Sequence, residues 1–385
     1  MSTQIDREDG LFYRQTLFNK AKRVVVKVGS AILTTEQGMN LEAIDNIVRQ
    51  LVFLRNTGRE VILVSSGAVA AGRKKIGYVA RGEIGMRDKQ ALAAIGQSVL
   101  MHIYDEIFGR YDTRIAQVLL THSDLSHRDR YLNVRNTLNT LLNFDVLPVI
   151  NENDTVSVEE LRFGDNDTLG ALVANIIEAD MFICLTDVLG LYNGDPRTDP
   201  TVQPIYTVAE VTPEIEALAG HAKSALGTGG MASKIRAAKM VAEGGGSSFI
   251  GPGRLDNILQ QLFSGQEIGT FFLPRPTRTP SRKHWISYVL KPKGRLMLDS
   301  GACLAVSTKG KSLLPSGIVE VRGTFGPGDA VECADVNERI IAVGLINYSS
   351  HDVDLIKGRK TSEIATILGF KDDDEVMHRD NLVLK

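Results

Sequence analysis

Arg23-Val-Val-Val-Lys-Val-Gly-Ser30 is the stretch that decides the fold, because an almost continuous valine run ends at a glycine and a serine. A short apolar run of β-branched residues is typical of a strand covered on both faces of a sheet. Amphipathic spacing over 41–56 then predicts a helix, and Glu60-Val-Ile-Leu-Val64 predicts a second strand. A strand, a helix and a strand in this order predict a βαβ unit with parallel strands.

The same alternation continues for the first 185 residues. Strands are predicted at 114–120, 146–150 and 181–185, and helices at 68–76, 89–108, 131–142 and 168–178. We therefore predict a three-layer α/β/α fold around a mainly parallel sheet. Ligands of such sheets collect beyond the carboxyl ends of the strands. Polar motifs follow four of the predicted strands there, after Val28, Val64, Ile150 and Leu185.

The pattern changes near Phe272, where a second module is predicted to begin. Pro274-Arg-Pro-Thr-Arg-Thr-Pro280 is basic and rich in proline, which predicts a linker over 274–284. Short apolar stretches broken by glycines then predict a β-rich domain over 285–372. Because Lys371-Asp-Asp-Asp-Glu375 is typical of a solvated surface, we predict a C-terminal tail over 373–385.

Composition narrows the class of protein. The 385 residues are 43% hydrophobic and 23% charged, which is typical of a soluble protein with two domains. The formal net charge of −2 provides no general basic field for nucleic acid or membrane binding. No apolar run reaches 18 residues, and the first twenty residues lack the apolar core of a signal peptide. Three widely spaced cysteines favour reduced, buried thiols, and we expect a cytoplasmic protein.

Three motifs are candidates for binding phosphate. Lys27 can neutralise phosphate charge, although a lysine at the end of a strand can also extend to solvent. Ser65–Gly72 can present helix N-terminal N–H groups to an anion, or can serve close packing of a helix on the sheet. Gly227–Lys234 can place backbone N–H groups against phosphate oxygens, and Lys234 can reach the transferring group.

Two further clusters are rich in Asn and Asp. Asn151–Asp154 and Gly164–Asp167 contain acceptors that can hold an ammonium group, orient lysines or bind magnesium. Turns also favour these residues, which is the alternative for each cluster taken alone. Thr186-Asp187 and the loop to Arg197 can line a base and a ribose, or form an ordinary surface turn.

Three patterns are excluded. Ala305–Ser312 matches a loose P-loop pattern, but Pro315 and Gly317 follow where a helix is required. Gly227–Ala232 matches a loose dinucleotide fingerprint, but no strand precedes it. The seven histidines show no metal-ligand spacing, and no protein metal site is predicted.

Six motifs in their order along the chain resemble the glutamate 5-kinase family of the amino-acid kinase superfamily. They are Val26–Ser30, Val64–Gly72, Pro148–Asp154, Gly164–Asp167, Leu185–Asp187 and Gly227–Lys234. The region from about Gly294 to Gly369 resembles a PUA domain, through Gly294–Gly301 and Ser312–Gly317. The resemblance implies an amino-acid kinase domain over 21–273 and a PUA domain over 285–372.

The family resemblance also implies an activity and roles for residues. The expected reaction converts ATP and L-glutamate into γ-glutamyl phosphate and ADP, the first step of proline biosynthesis. Catalytic roles fall on Lys27, Lys234 and Asp167, and glutamate binding falls on Ser66, Asp154 and Asn166. ATP binding falls on Lys27, Thr186, Asp187, Thr228, Gly229, Gly230, Met231, Ala232, Ser233 and Lys234.

The resemblance further implies magnesium bound with ATP, feedback inhibition by proline and a homo-oligomer. It allows hand-over of the product to glutamate-5-semialdehyde dehydrogenase. Residues 1–20 extend beyond the usual start of the family and receive no role, and Arg162 stands where some relatives have lysine, which leaves proline sensitivity open.

Two other functions remain open. One is a different amino-acid kinase acting on N-acetylglutamate or aspartate, which the Asn151–Asp154 cluster and the β-rich tail disfavour. The other is RNA binding, because PUA domains often bind RNA. The tail has no concentrated basic stripe with interleaved aromatic residues, so RNA binding is not predicted as its main function. A role of the tail in assembly or regulation is favoured instead.

Overall fold

The computed structural model describes residues 5–35, 38–79, 84–156, 165–196, 198–219, 230–276 and 281–385. The chain divides into two compact units, Met1–Arg278 and Thr279–Lys385. Each unit has its own sheet and its own hydrophobic core.

The first unit is built around one large sheet. The described strands of this unit are β1 (Arg23–Val28), β2 (Thr34–Thr35), β3 (Gly38–Met39), β4 (Glu60–Val64), β5 (Ile115–Leu120), β6 (Leu147–Glu152), β7 (Met181–Thr186), β8 (Leu191–Tyr192), β9 (Pro204–Ile205), β10 (Thr207–Val208), β11 (Ser247–Pro252) and β12 (Thr270–Phe272). Eight of them form the order β10-β12-β11-β7-β1-β4-β6-β5. All neighbours in this sheet are parallel except β11 and β12. The sheet is therefore mainly parallel, with β1 in its interior.

Helices connect these strands. The described helices of the first unit are α1 (Arg7–Lys20), α2 (Ser30–Leu33), α3 (Leu41–Asn56), α4 (Ala68–Ile76), α5 (Met86–Gly109), α6 (His122–Ser126), α7 (Arg128–Asn143), α8 (Asn166–Ile176), α9 (Pro213–Leu218), α10 (Met231–Glu243) and α11 (Ile258–Phe263). In α3, Ile44, Ile47 and Leu51 recur at helical spacing and are fully buried. The Asn40 side chain accepts a hydrogen bond from the Ala43 N–H and begins this helix.

The predicted strands at 23–28 and 60–64 and the predicted helices at 41–56 and 68–76 agree with the structure at both ends. The helix predicted at 168–178 instead spans Asn166–Ile176, because the Asp165 side chain accepts a hydrogen bond from the Thr168 N–H. Hydrophobic periodicity locates a helix, whereas capping decides where it begins.

Helix α1 occupies most of the N-terminal extension and packs against the rest of the first unit. Arg14 is buried, and its guanidinium donates to the carbonyl oxygens of Tyr206 and Ile268 at 3.3 and 2.8 Å. Phe18 packs against Phe263 and Phe271, with ring centroids 4.9 and 5.1 Å apart. The extension is therefore part of the hydrophobic core, which its mixed-charge sequence did not indicate.

The second unit has a five-stranded sheet and short helices. Its strands are β13 (Gly294–Leu298), β14 (Ile318–Gly323), β15 (Ala330–Ala334), β16 (Ile340–Leu345) and β17 (Leu382–Leu384), in the order β14-β13-β15-β16-β17. Its helices are α12 (Ser281–Tyr288), α13 (Ser300–Ser307), α14 (Ser350–Ile356) and α15 (Ile364–Leu368), with short 3-10 turns at Pro315–Gly317, Thr361–Glu363 and Arg379–Asn381.

The structure differs from two predictions for this region. Helix α12 begins inside the predicted linker 274–284 and continues beyond it to Tyr288. Strand β17 lies within the predicted tail and pairs antiparallel with β16, and Leu382 is buried in the hydrophobic core of the second unit. A three-residue strand has no periodicity that a sequence pattern can detect, so only the partner strand reveals it.

Among the helices of the described ranges, none is both long and apolar enough to cross a membrane.

Candidate active site

Parallel pairing brings the polar motifs to one edge of the large sheet. Lys27, near the end of β1, lies level with Val64 of β4 and Cys184 of β7, and Val64 lies level with Ile150 of β6. The residues that follow these four strands therefore emerge at the same edge. Lys27 is 6% exposed, so its side chain remains inside the protein instead of extending to solvent.

Asp167 lies at the centre of a buried charged cluster. Its Oδ1 is 2.5 Å from the Lys27 Nζ, and its Oδ2 is 3.1 Å from the Lys234 Nζ. Asp167 is fully buried, and Lys234 is 6% exposed. Helix α8 begins at Asn166 and supplies the carboxylate, whereas β1 and the first turn of α10 supply the two ammonium groups. Residues 207 positions apart in sequence thus contact one carboxyl group.

The pKa values of this cluster reflect a balance between burial and charge. Burial acts to raise the pKa of Asp167, but the positive charges of Lys27 and Lys234 lower it well below its usual range. Burial likewise acts to lower the pKa of Lys27, but the negative charge of Asp167 leaves it raised. Asp167 is therefore ionised and Lys27 is protonated at neutral pH.

Two neutral side chains complete the surroundings of Asp167. The Ser233 hydroxyl lies 2.8 Å from Asp167 Oδ2 and 2.8 Å from the Gly230 carbonyl oxygen. The Cys184 thiol donates to Asp167 Oδ1 at 3.4 Å. Burial, and then the negative charge of Asp167, raise the pKa of Cys184 to about 12, so this side chain is a thiol at neutral pH. Both oxygens of Asp167 are thereby engaged by partners within the protein.

Asn166, the residue before Asp167, belongs to a second cluster of hydrogen-bonding side chains, which is neutral. Asn166 Nδ2 lies 2.7 Å from the Ser65 carbonyl oxygen, 2.9 Å from Ser66 Oγ and 3.0 Å from Asn151 Oδ1. These partners belong to the turn after β4 and to the end of β6. Gly67 has a φ of 96°, a left-handed conformation that glycine adopts without strain, and it lets the chain turn from Ser66 directly into α4.

Helix α5 contributes two residues to this neutral cluster that the sequence analysis missed. Gln97 Oε1 accepts a hydrogen bond from Asn151 Nδ2 at 2.9 Å, and the Tyr104 hydroxyl lies 2.9 Å from Ser65 Oγ. The sequence does give one indication of Gln97, because it lies on the same face of α5 as Ala93 and Leu100, which are both buried. A polar residue on an apolar helix face needs a partner, but the sequence does not identify the partner.

Within the described residues, the start of α10 has no side-chain cap. The helix begins at Met231, and no side chain caps it at Gly230. The N–H groups of a first helical turn attract anions when no cap uses them. In the same turn, Met231 is 8% exposed and Ala232 is exposed.

Comparison with known proteins places the chain in a family. The Amino acid kinase family model matches residues 22–251, and the PUA domain model matches residues 294–368. Glutamate 5-kinase of Desulfotalea psychrophila is 60% identical over 371 residues, covering 96% of this chain and 99% of that protein. This chain belongs to the glutamate 5-kinases of the amino acid kinase family.

Two further proteins are similar to this chain. Glutamate 5-kinase of Syntrophotalea carbinolica is 48% identical over 372 residues, covering 97% of this chain and 100% of that protein. The solved structure of carbamate kinase from Giardia lamblia bound to AMP-PNP is 16% identical, with a TM-score of 0.48, and covers 66% of this chain and 99% of that chain. The family and the fold class predicted from the sequence, including the PUA domain, are confirmed by the family matches and the glutamate 5-kinase relatives.

The structure places the remaining predicted site residues as follows. Thr186, the last residue of β7, is buried and donates to Asp187 Oδ1 at 3.0 Å, and Asp187 is exposed. Asp154 is half-buried in the turn after β6. Thr228, Gly229 and Arg162 lie outside the described residues. Within the described ranges, no group of three or more His, Cys, Asp or Glu side chains is arranged to hold a metal ion.

Proposed function

We propose that this protein transfers the γ-phosphoryl group of ATP to the γ-carboxylate of L-glutamate, giving γ-glutamyl phosphate and ADP. This is the first step of proline biosynthesis. The observation that carries the proposal is the pair of buried ammonium groups of Lys27 and Lys234 on the Asp167 carboxylate. The curated relatives named glutamate 5-kinase support the choice of substrate.

The chemistry requires positive charge rather than a base. A carboxylate is already nucleophilic, and both it and the phosphates of ATP are negative, so the two reactants repel each other. Phosphoryl transfer is catalysed mainly by positioning and by neutralising charge on the transferring group. Lys27 and Lys234 provide this charge where water is largely excluded, and Asp167 orients both ammonium groups.

Magnesium is proposed to enter with ATP. Mg²⁺ usually keeps several water ligands and binds through substrate phosphates and one or two carboxylates. Asp167 is unsuited as a ligand because Lys27 and Lys234 occupy its two oxygens. Magnesium bound with ATP would add to the positive charge that Lys27 and Lys234 supply.

The two substrates are assigned to neighbouring parts of the sheet edge. We assign glutamate to Ser66, Asn166 and Asp154, because hydroxyl, amide and carboxylate oxygens can accept from an α-ammonium group. We assign ATP to Lys27, Thr186, Asp187 and the segment 228–234, since the first turn of α10 presents uncapped N–H groups.

Several cellular properties belong to the same proposal. L-proline carries an α-ammonium and an α-carboxylate like those of glutamate, so we propose that it inhibits by competing for the glutamate site. An acyl phosphate hydrolyses readily in water, which favours hand-over to glutamate-5-semialdehyde dehydrogenase. We also propose a homo-oligomer in the cytoplasm. The three cysteines carry free thiols, which fits a reducing compartment.

The direct test is release of ADP with L-glutamate, ATP and magnesium, with hydroxylamine added to trap an acyl phosphate as a hydroxamate. The wild type should form hydroxamate. Lys234→Ala should lower kcat by at least about a hundredfold, as expected for the loss of a preorganised charge. Lys239→Ala is the matched control, because Lys239 lies on the same helix and pairs with Glu216 outside the site.

Two outcomes of this test would contradict the proposal in different ways. Near-normal turnover of Lys234→Ala would remove this lysine from the catalytic machinery. A folded wild type without glutamate-dependent release of ADP would contradict the proposed substrate. N-acetylglutamate and aspartate would then be the next acceptors to measure.

A further inference from the structure

Two backbone groups fix the orientation of the side-chain amides in the neutral cluster. Asn151 Oδ1 lies 3.0 Å from the Glu152 N–H, which can only donate, so this atom must be the oxygen. Asn166 Nδ2 lies 2.7 Å from the Ser65 carbonyl, which can only accept, so this atom must be the nitrogen. The orientation of both amides therefore follows from the hydrogen-bond network.

Gln97 completes this chain of amides. Because Asn151 Oδ1 faces Glu152 and Asn166, Asn151 Nδ2 faces Gln97 and donates to its Oε1 at 2.9 Å. Asn151 is 3% exposed, so without Gln97 its amide nitrogen would lose its partner in a buried position. An unsatisfied buried donor is costly and drives the side chain to rearrange.

This series of amide hydrogen bonds sets the orientation of the Asn166 side chain. Its Nδ2 is turned inward to the oxygens of Ser65, Ser66 and Asn151. No side chain or backbone donor in the described part of the chain is bonded to its Oδ1. A carbonyl oxygen held in this way can accept a hydrogen bond from a substrate ammonium group.

The position of Gln97 is itself rigidly determined. Gly96, the preceding residue, packs so closely on α4 that a Cβ there would lie 1.7 Å from the Ala68 carbonyl oxygen. Tyr104 is seven residues after Gln97, two helical turns along the same face, and contacts Ser65. Helix α5 thus holds the neutral cluster at two points.

We propose that Gln97 is a positioning residue that orients Asn151, and through it Asn166, to recognise the α-ammonium group of the amino-acid substrate. This inference rests on the proposed function. Gln97 acts at a distance from the reacting atoms, so it should affect binding of the amino acid and leave phosphoryl transfer unchanged.

The test compares Gln97→Met, which removes the acceptor, with Gln97→Glu, which keeps an acceptor oxygen at the same distance along the side chain. Ser98→Ala is the control, since Ser98 is the next residue and is exposed. The measurements are the KM values for glutamate and ATP, kcat, and the inhibition constant of glutarate, which lacks the α-ammonium group.

Gln97→Met should raise the KM for glutamate roughly tenfold, as expected when a site loses part of a polar recognition element. The KM for ATP, kcat and the inhibition constant of glutarate should stay within about twofold of the wild type. Gln97→Glu should keep most of the preference for glutamate over glutarate, and Ser98→Ala should behave as the wild type.

Two results would overturn the inference. One is an unchanged KM for glutamate in folded Gln97→Met; the other is an equal weakening of glutamate, glutarate and ATP, which would indicate general damage. If Gln97→Met does not fold, loss of the preference for glutamate in Gln97→Glu would also overturn it. A wild type without glutamate turnover would instead contradict the proposed function.

Discussion

Asn166 and Asp167 are consecutive residues, yet they belong to two clusters of opposite character. Asp167 contacts two ammonium groups in a buried charged cluster, whereas Asn166 contacts one amide, one hydroxyl and one backbone carbonyl. Consecutive residues of a helix point about 100° apart, so the first turn of α8 can serve both clusters. One helix end thus places the charged cluster beside the neutral cluster.

We propose that the charged cluster acts in phosphoryl transfer and that the neutral cluster acts in binding of the amino acid. Charged groups stabilise the charge that develops during phosphoryl transfer, and their loss lowers kcat. Neutral groups that hold the substrate equally well in the ground state and in the transition state contribute to binding, and their loss raises KM. Substitutions in the two clusters should therefore separate these constants.

The largest expected effect is that of Asp167→Asn, because this residue orients both lysines. A neutral amide offers one acceptor and places a donor against the other ammonium group, so kcat should fall on the order of a thousandfold. The variant should also be destabilised by about 3 kcal/mol, since it leaves buried charge uncompensated. Turnover and urea unfolding measure the two effects, and a kcat within about tenfold of the wild type would contradict the assigned role.

The same variant should change the pH dependence of stability. The pKa of Asp167 is lowered in the folded state, so its contribution is complete above about pH 4, the unfolded value, and is lost as pH falls toward the folded pKa. Below pH 4 the free energy of unfolding should therefore fall less steeply for Asp167→Asn than for the wild type. The free energy of unfolding is measured with urea at several pH values for both proteins. If it depended on pH in the same way for the wild type and Asp167→Asn, the Asp167 carboxylate would not be ionised as described.

Ser66→Ala should have an intermediate effect, because it alters only the neutral cluster. It removes the oxygen that lies 2.9 Å from Asn166 Nδ2 and a hydroxyl assigned to the substrate. Loss of such a hydrogen bond should raise the KM for glutamate about tenfold, with the KM for ATP and kcat little changed. Ser264→Ala is a suitable control because Ser264 is exposed and bonds to the Gln261 carbonyl. A fall in kcat without a change in the KM for glutamate would contradict the proposed separation of roles between the two clusters.

The smallest expected effect is that of Cys184→Ala, which touches the charged cluster only at its edge. The thiol is a weak donor at 3.4 Å from Asp167 Oδ1, and two lysines remain on the carboxylate. Loss of the buried sulfur should cost about 1 kcal/mol in stability and lower kcat by no more than about threefold. Cys184→Ser, which keeps a donor, is the companion variant. A hundredfold loss of kcat in Cys184→Ala alone would give the thiol a direct part in catalysis.

The sequence indicated which residues to examine but not how they meet. Lys27, Asp167 and Lys234 stood in separate motifs, and the family resemblance joined them before any distance was known. Ser233 was assigned to ATP by that resemblance, whereas its hydroxyl lies 2.8 Å from Asp167 Oδ2. Gln97 and Tyr104 belonged to no motif, because a lone polar residue on a helix names no partner.

Strands such as Arg23–Val28 and helices such as Leu41–Asn56 were determined by sequence alone, because each is specified by a local pattern of apolar residues. Only the tertiary structure decided the register that brings Lys27 level with Cys184, and the approach of α10 that puts Lys234 on Asp167. The physical reason is that burial of a charge depends on partners distant in the chain. A local pattern specifies backbone conformation, but the partner that makes a buried ammonium stable becomes adjacent only when the sheet and its helices have assembled.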